Sequence, residues 1–150
     1  MAAELFVDTS AWYPIAVESH PDHRWLSDAL TAAVRGGRRV VTTNLIVSET
    51  YALLLARVGK PVALDFLRAV RKPPNEVVNS TPELEDRAIT NWLERRWPGY
   101  GAPDWIISFT DAVSSEVMAE REIHEVLSLG SPAHPWGWVR VGGQLGSSRG

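Results

Sequence analysis

At 150 residues, with 45% apolar and 22% charged residues, the chain suits a single soluble domain with a sizeable core. No apolar run reaches the roughly 18–20 residues needed to cross a bilayer, and the start of the chain lacks the basic and apolar stretches of a signal peptide, so a cytoplasmic location is expected. The absence of cysteine excludes disulfides, thiolate zinc sites and Cys nucleophiles, and the net charge of −3 argues against indiscriminate nucleic-acid binding over the whole surface, though not against a local basic groove.

Residues 4–7 form a short apolar run ending at Asp8, which predicts a buried strand followed by a turn. From Asp22 to Val34, Trp25, Leu26, Ala29, Leu30, Ala33 and Val34 share one side of a helix that Gly36-Gly37 ends. Residues 39–42 predict a second strand. Asn44 then caps a helix carrying Leu45, Tyr51, Leu54 and Leu55 and stopping near Gly59. Lys60-Pro61 opens another helix, with Leu64, Leu67 and Val70 at helical spacing. Residues 76–78 read as a third strand. Thr81-Pro82-Glu83 is a helix start, with a Thr cap, Pro in the first turn and acids at the positive helix end, and that helix runs to about Trp97. After a loop at 98–101, Ser108 or Thr110 caps a helix reaching about Glu122, and residues 126–129 and 138–141 are the last strands. The Gly/Ser-rich stretch 142–150 is expected to be disordered, which leaves one domain over residues 1–141.

Strands alternating with helices imply an α/β fold whose parallel sheet is covered on both faces. In such sheets, sites form beyond the C-terminal strand ends, near the point where strand order reverses. Asp8, Glu49, Asp104 and Asp111 each sit in or beside apolar sequence, where a carboxylate is costly to bury unless paired, hydrogen-bonded or bound to a metal. Asp8 follows the first strand, Glu49 lies in the helix after the second, and Asp111 opens the helix before the fourth. These acids can therefore project toward one edge. Three or four carboxylates in one pocket make a hard-oxygen cage for Mg²⁺ or Mn²⁺.

Three segments carry a resemblance: Phe6-Val7-Asp8-Thr9-Ser10-Ala11-Trp12, the stretch 41–50 around Asn44 and Glu49, and Ser108-Phe109-Thr110-Asp111-Ala112-Val113-Ser114. In order and spacing, over about residues 4–141, the chain resembles the PIN-domain family of metal-dependent nucleases, and in particular its VapC-like toxins. The resemblance implies a three-layer α/β/α sandwich with a central, mostly parallel sheet. It also implies Asp8, Glu49 and Asp111 around Mg²⁺ or Mn²⁺, an RNA substrate, a cognate antitoxin that blocks the cleft, and a homodimer built from the apolar helices between Leu45 and Val70. Asp104 matches a frequent acidic position of this branch, as metal ligand or support. Thr9, Ser10, Asn44 and Thr110 are placed to donate hydrogen bonds to the cage or substrate. The family usually carries a fourth acid after the fourth strand, where this chain has Gly130, so a cage short of about one negative charge is expected. A binding module that no longer cuts, and a small-molecule phosphohydrolase, are the alternatives.

Other features read more simply. Asp8-Thr9-Ser10 lacks the second Asp of a dehalogenase-type nucleophile loop. His20 and His23, three apart, suggest a loop before a helix rather than a metal pair. His134 could face the cleft. Of the seven tryptophans, Trp12, Trp105, Trp136 and Trp138 fall beside the expected site, with packing as the default role. Arg24, Arg38, Arg39, Arg95, Arg96 and Arg121 are candidate phosphate contacts as a set.

Overall fold

A computed structural model describes residues 3–95, 107–129 and 139–140. Five strands form one sheet: β1 (Leu5–Val7), β2 (Val40–Thr43), β3 (Asn75–Val78), β4 (Glu125–Leu127) and β5 (Val139–Arg140), in the order β3-β2-β1-β4-β5. Every pairing is parallel, with Phe6 opposite both Val41 and Val126, and Val7 opposite Leu127. All residues of β1 and β2 are buried, as suits the continuous apolar runs of central parallel strands, whereas β3 at the edge is half-buried. The helices are α1 (Thr9–Ala16), α2 (His23–Arg35), α3 (Asn44–Arg57), α4 (Lys60–Val70), α5 (Pro82–Ala88) and α6 (Phe109–Arg121). Contacts join α1 to α2 and α3, and α3 to α4, while α5 packs on α6. Right-handed crossovers place these two groups on opposite faces of the sheet, the expected three layers. No helix among the described residues is long and apolar enough to cross a membrane.

Three local differences from the sequence expectation matter. The chain after β1 does not merely turn; it enters α1 at once. Asp8 is the cap, its Oδ1 accepting from the Ser10 amide at 2.7 Å. Pro14 inside the helix masks it in the sequence, and its lost hydrogen bond is offset by burial of Ala11, Trp12 and Pro14 against the core. Trp12 meets Phe66 edge-on at 5.9 Å and donates from Nε1 to Thr42 Oγ1 at 3.3 Å, so this tryptophan is core.

At α3 the cap is Thr43, whose extended backbone lets Oγ1 accept from the Ile46 amide at 3.2 Å. Asn44 instead accepts from the Ser80 amide at 2.8 Å, tying the start of α3 to the segment after β3. Finally, α5 passes into a π-helical stretch, Ile89–Leu93, in place of a regular helix. The wider turn sets Asn91 Nδ2 and Trp92 Nε1 so that both donate to Glu116 Oε1, at 3.0 and 2.9 Å. Arg96, Trp97, Asp104, Trp105, Gly130, His134, Trp136, Trp138 and the stretch 142–150 lie outside the described residues.

Candidate functional site

Strand order reverses between β1 and β4, and Asp8 stands just beyond the end of β1 at that point. Its amide donates to Leu127 O at 3.2 Å, which pins it to the end of β4. Burial pushes the Asp8 carboxyl above its ordinary range. The Ser10 amide and the Ser128 and Ser10 hydroxyls pull the other way, Asp111 adds like-charge repulsion, and the net direction is upward. Among the described residues, no cation figures in the groups acting on Asp8.

Asp111 owes its place to Ser108, the cap of α6, whose Oγ accepts from the Asp111 amide at 3.0 Å. It is exposed, in the first turn, where the helix dipole favours a negative charge. Thr110 is half-buried beside it. Glu49, exposed on α3, is reached from the other side: Thr9, the first residue of α1, donates from Oγ1 to Glu49 Oε1 at 2.8 Å. Asn44 is turned to Ser80 rather than to any of these acids.

Thus Asp8 and Asp111 share one electrostatic field, and Glu49 is tied to the same β1–α1 corner through Thr9. Among the described residues, no three His, Cys, Asp or Glu side chains form one metal-holding group as they stand. The donors are all hard carboxylate oxygens, and a half-buried carboxylate repelled by its neighbour gains from a hard divalent cation, so Asp8 and Asp111 fit Mg²⁺ or Mn²⁺.

Ser128 was not anticipated. It is 1% exposed, follows β4 directly, and bonds to Ser10 Oγ at 3.0 Å, while the Leu129 amide donates to Ser10 Oγ at 2.8 Å. The signal available was its position: a lone hydroxyl after an apolar strand, one residue beyond the partner of Val7.

The remaining candidates have other partners. His20 Nδ1 accepts from the Asp22 amide at 3.0 Å and His23 Nδ1 bonds Pro14 O at 2.9 Å, contacts that shape the turn into α2. Arg38 pairs with Glu125 at 2.6 Å, and Arg39 and Arg121 pair with Glu76 at 2.9 and 2.6 Å. A groove of about 670 Å³ between α1, α2 and α4 is lined by Trp12, Ile15, Leu30, Val62 and Phe66, and Asp8, Glu49 and Asp111 are not among its lining residues.

The PIN domain family model matches residues 5–130. Among solved structures, the crystal structure of Mycobacterium tuberculosis VapC20, described as a sarcin–ricin loop cleaving toxin, is similar at a TM-score of 0.71 and 26% identity, covering 85% of this chain and 90% of that one. PAE2754 from Pyrobaculum aerophilum is similar in fold at a TM-score of 0.52 and 15% identity, covering 93% of this chain and 90% of that one. No curated protein matches.

Proposed function

The chain belongs to the PIN-domain family, and from that premise we propose that it is a VapC-like toxin, a Mg²⁺- or Mn²⁺-dependent endoribonuclease held in check by a cognate antitoxin. The observation that carries this is Asp8: a carboxylate at the strand-order reversal, destabilised by burial and by Asp111, with no cation among the described residues acting on it. A structural carboxylate in that position would be expected to have an internal partner.

Phosphodiester hydrolysis needs a nucleophile made from water and relief of charge on the phosphate. A divalent ion bound here lowers the pKa of its water and neutralises phosphoryl oxygens. Asp8 and Asp111 supply the oxygens that hold it. The N-cap bond from the Ser10 amide fixes the Asp8 carboxylate toward the sheet edge. Thr9 holds Glu49 Oε1, which leaves Oε2 to orient the attacking water or take its proton. Thr110 lies beside Asp111 to contact substrate. The likeness to a toxin described as cleaving the sarcin–ricin loop supports a structured RNA as substrate. Exposed Leu55 and Val58, at the C-terminal end of α3, support a homodimer through the helices between Leu45 and Val70. A cytoplasmic location completes the reading.

Incubation of the purified protein with end-labelled ribosomal RNA tests it. Discrete cleavage that needs Mn²⁺ and stops with a chelator is the expected result. RNA left intact at every Mn²⁺ concentration, with the protein folded, refutes the nuclease.

A further inference from the structure

We propose that Ser128 is a positioning residue for Asp8, the last donor of a hydrogen-bond chain that crosses the strand-order reversal. The inference rests on the metal-binding reading of Asp8 and deepens it.

The chain follows from counting protons. Ser10 Oγ accepts from the Leu129 amide at 2.8 Å. Ser10 and Ser128 hydroxyl oxygens are 3.0 Å apart, so one of the two donates to the other. Each hydroxyl has a single proton. The Ser128 and Ser10 hydroxyls both act to lower the Asp8 carboxyl, Ser128 ahead of Ser10. If Ser128 spends its proton on Asp8, Ser10 must supply the proton between the serines. The order is then Leu129 N–H to Ser10, Ser10 to Ser128, and Ser128 to Asp8. Each donor in such a line polarises the next.

The surroundings suit a fixed device. Ser128 is 1% exposed, and the flanking Leu127 is fully buried. The register that sets Val7 opposite Leu127 also sets Asp8 beside Ser128, just past the ends of adjacent strands. The Asp8 carboxylate is thereby gripped from two directions, by the Ser10 amide within its own helix start and by Ser128 from the neighbouring strand. A carboxylate held in this way needs little reordering to bind a cation, and removing such a supporting donor commonly costs 10–100-fold in metal affinity.

Mn²⁺ binding to the RNA-free protein, followed by calorimetry, tests this beside thermal melting and RNA cleavage. Ser128→Ala should raise the Kd for Mn²⁺ about 10-fold, with a melting temperature near that of the wild type. Ser128→Thr, which keeps the hydroxyl, should bind close to the wild type. Ser10→Ala, one link upstream, should lose less than Ser128→Ala. Wild-type affinity in Ser128→Ala overturns the proposal while the metal site stands, provided Asp8→Asn no longer binds. A greater loss in Ser10→Ala than in Ser128→Ala reverses the order of the chain and overturns the role of Ser128. A lower melting temperature in Ser128→Ala with unchanged Kd makes the serine structural only, which also overturns it. Absence of Mn²⁺ binding in wild type and Asp8→Asn alike removes the metal site, and this proposal with it.

Discussion

Asp8 and Glu116 are both carboxylates set against the core, and the fold treats them in opposite ways. Glu116 is 5% exposed, and burial works against its charge. Donors on Asn91 and Trp92 and the Arg87 guanidinium 3.5 Å away nevertheless hold its carboxyl below the ordinary range. Glu76 is similar: Arg121 at 2.6 Å and Arg39 at 2.9 Å keep it ionised. Asp8 has hydroxyl and amide donors, but burial above all, with a like charge for a neighbour, pushes its carboxyl up. Where a buried acid is architectural, the chain supplies the countercharge itself. At the Asp8 corner the described residues supply orientation and no countercharge.

The sharpest break of this contrast is Asp8→Asn. Asn preserves the cap but not the charge, so Mn²⁺-dependent RNA cleavage should fall by at least about 100-fold while the protein melts no lower than the wild type. Retained activity in the purified variant would sink the role given to Asp8. Glu116→Ala should do the reverse. It removes the acceptor shared by the Trp92 indole and the Asn91 amide, while Arg87 keeps Glu120 at 2.6 Å, so about 1–2 kcal/mol of stability should be lost in urea unfolding. Cleavage per folded molecule should stay the same.

Thr9→Val removes the donor that holds Glu49 and should lower kcat by roughly 10-fold without a change in melting temperature, on the scale of one general-base group held less well. An unchanged kcat would detach Glu49 from the site.

The smallest effects lie in pH dependence, and their signs differ. Asp8 has a folded pKa above its unfolded value. The folded state therefore binds the extra proton between the two, and this group favours folding more as pH falls through that interval. Glu76 has a folded pKa below the ordinary 4.5, so its contribution is present above that value and is lost as pH falls beneath it. Melting curves between pH 7 and pH 3 should show Asp8→Asn losing the first trend and Glu76→Gln losing the second. Because Glu76 is partly exposed, its effect should be about 1 kcal/mol or less.

Much of this molecule is written locally. The runs at 4–7 and 39–42, Thr81-Pro82 as a helix start and Ser108 or Thr110 as a cap all act within a few residues, and strands at Leu5–Val7 and Val40–Thr43, a helix from Pro82 and a Ser108 cap are observed. Asp8, Glu49 and Asp111 could likewise be assigned to strand ends and helix starts from the chain alone, because local periodicity sets where a strand stops. Pro14 hid α1, since the helix survives through burial that only the packed core supplies. The tertiary structure alone decided which hydroxyl serves which acid: Thr9 meets Glu49 across 40 residues, and Ser10 meets Ser128 across 118. Those bonds depend on strand order and on the register of β1 against β4. A one-residue slip would turn each side chain to the other face, and no short-range pattern encodes that choice.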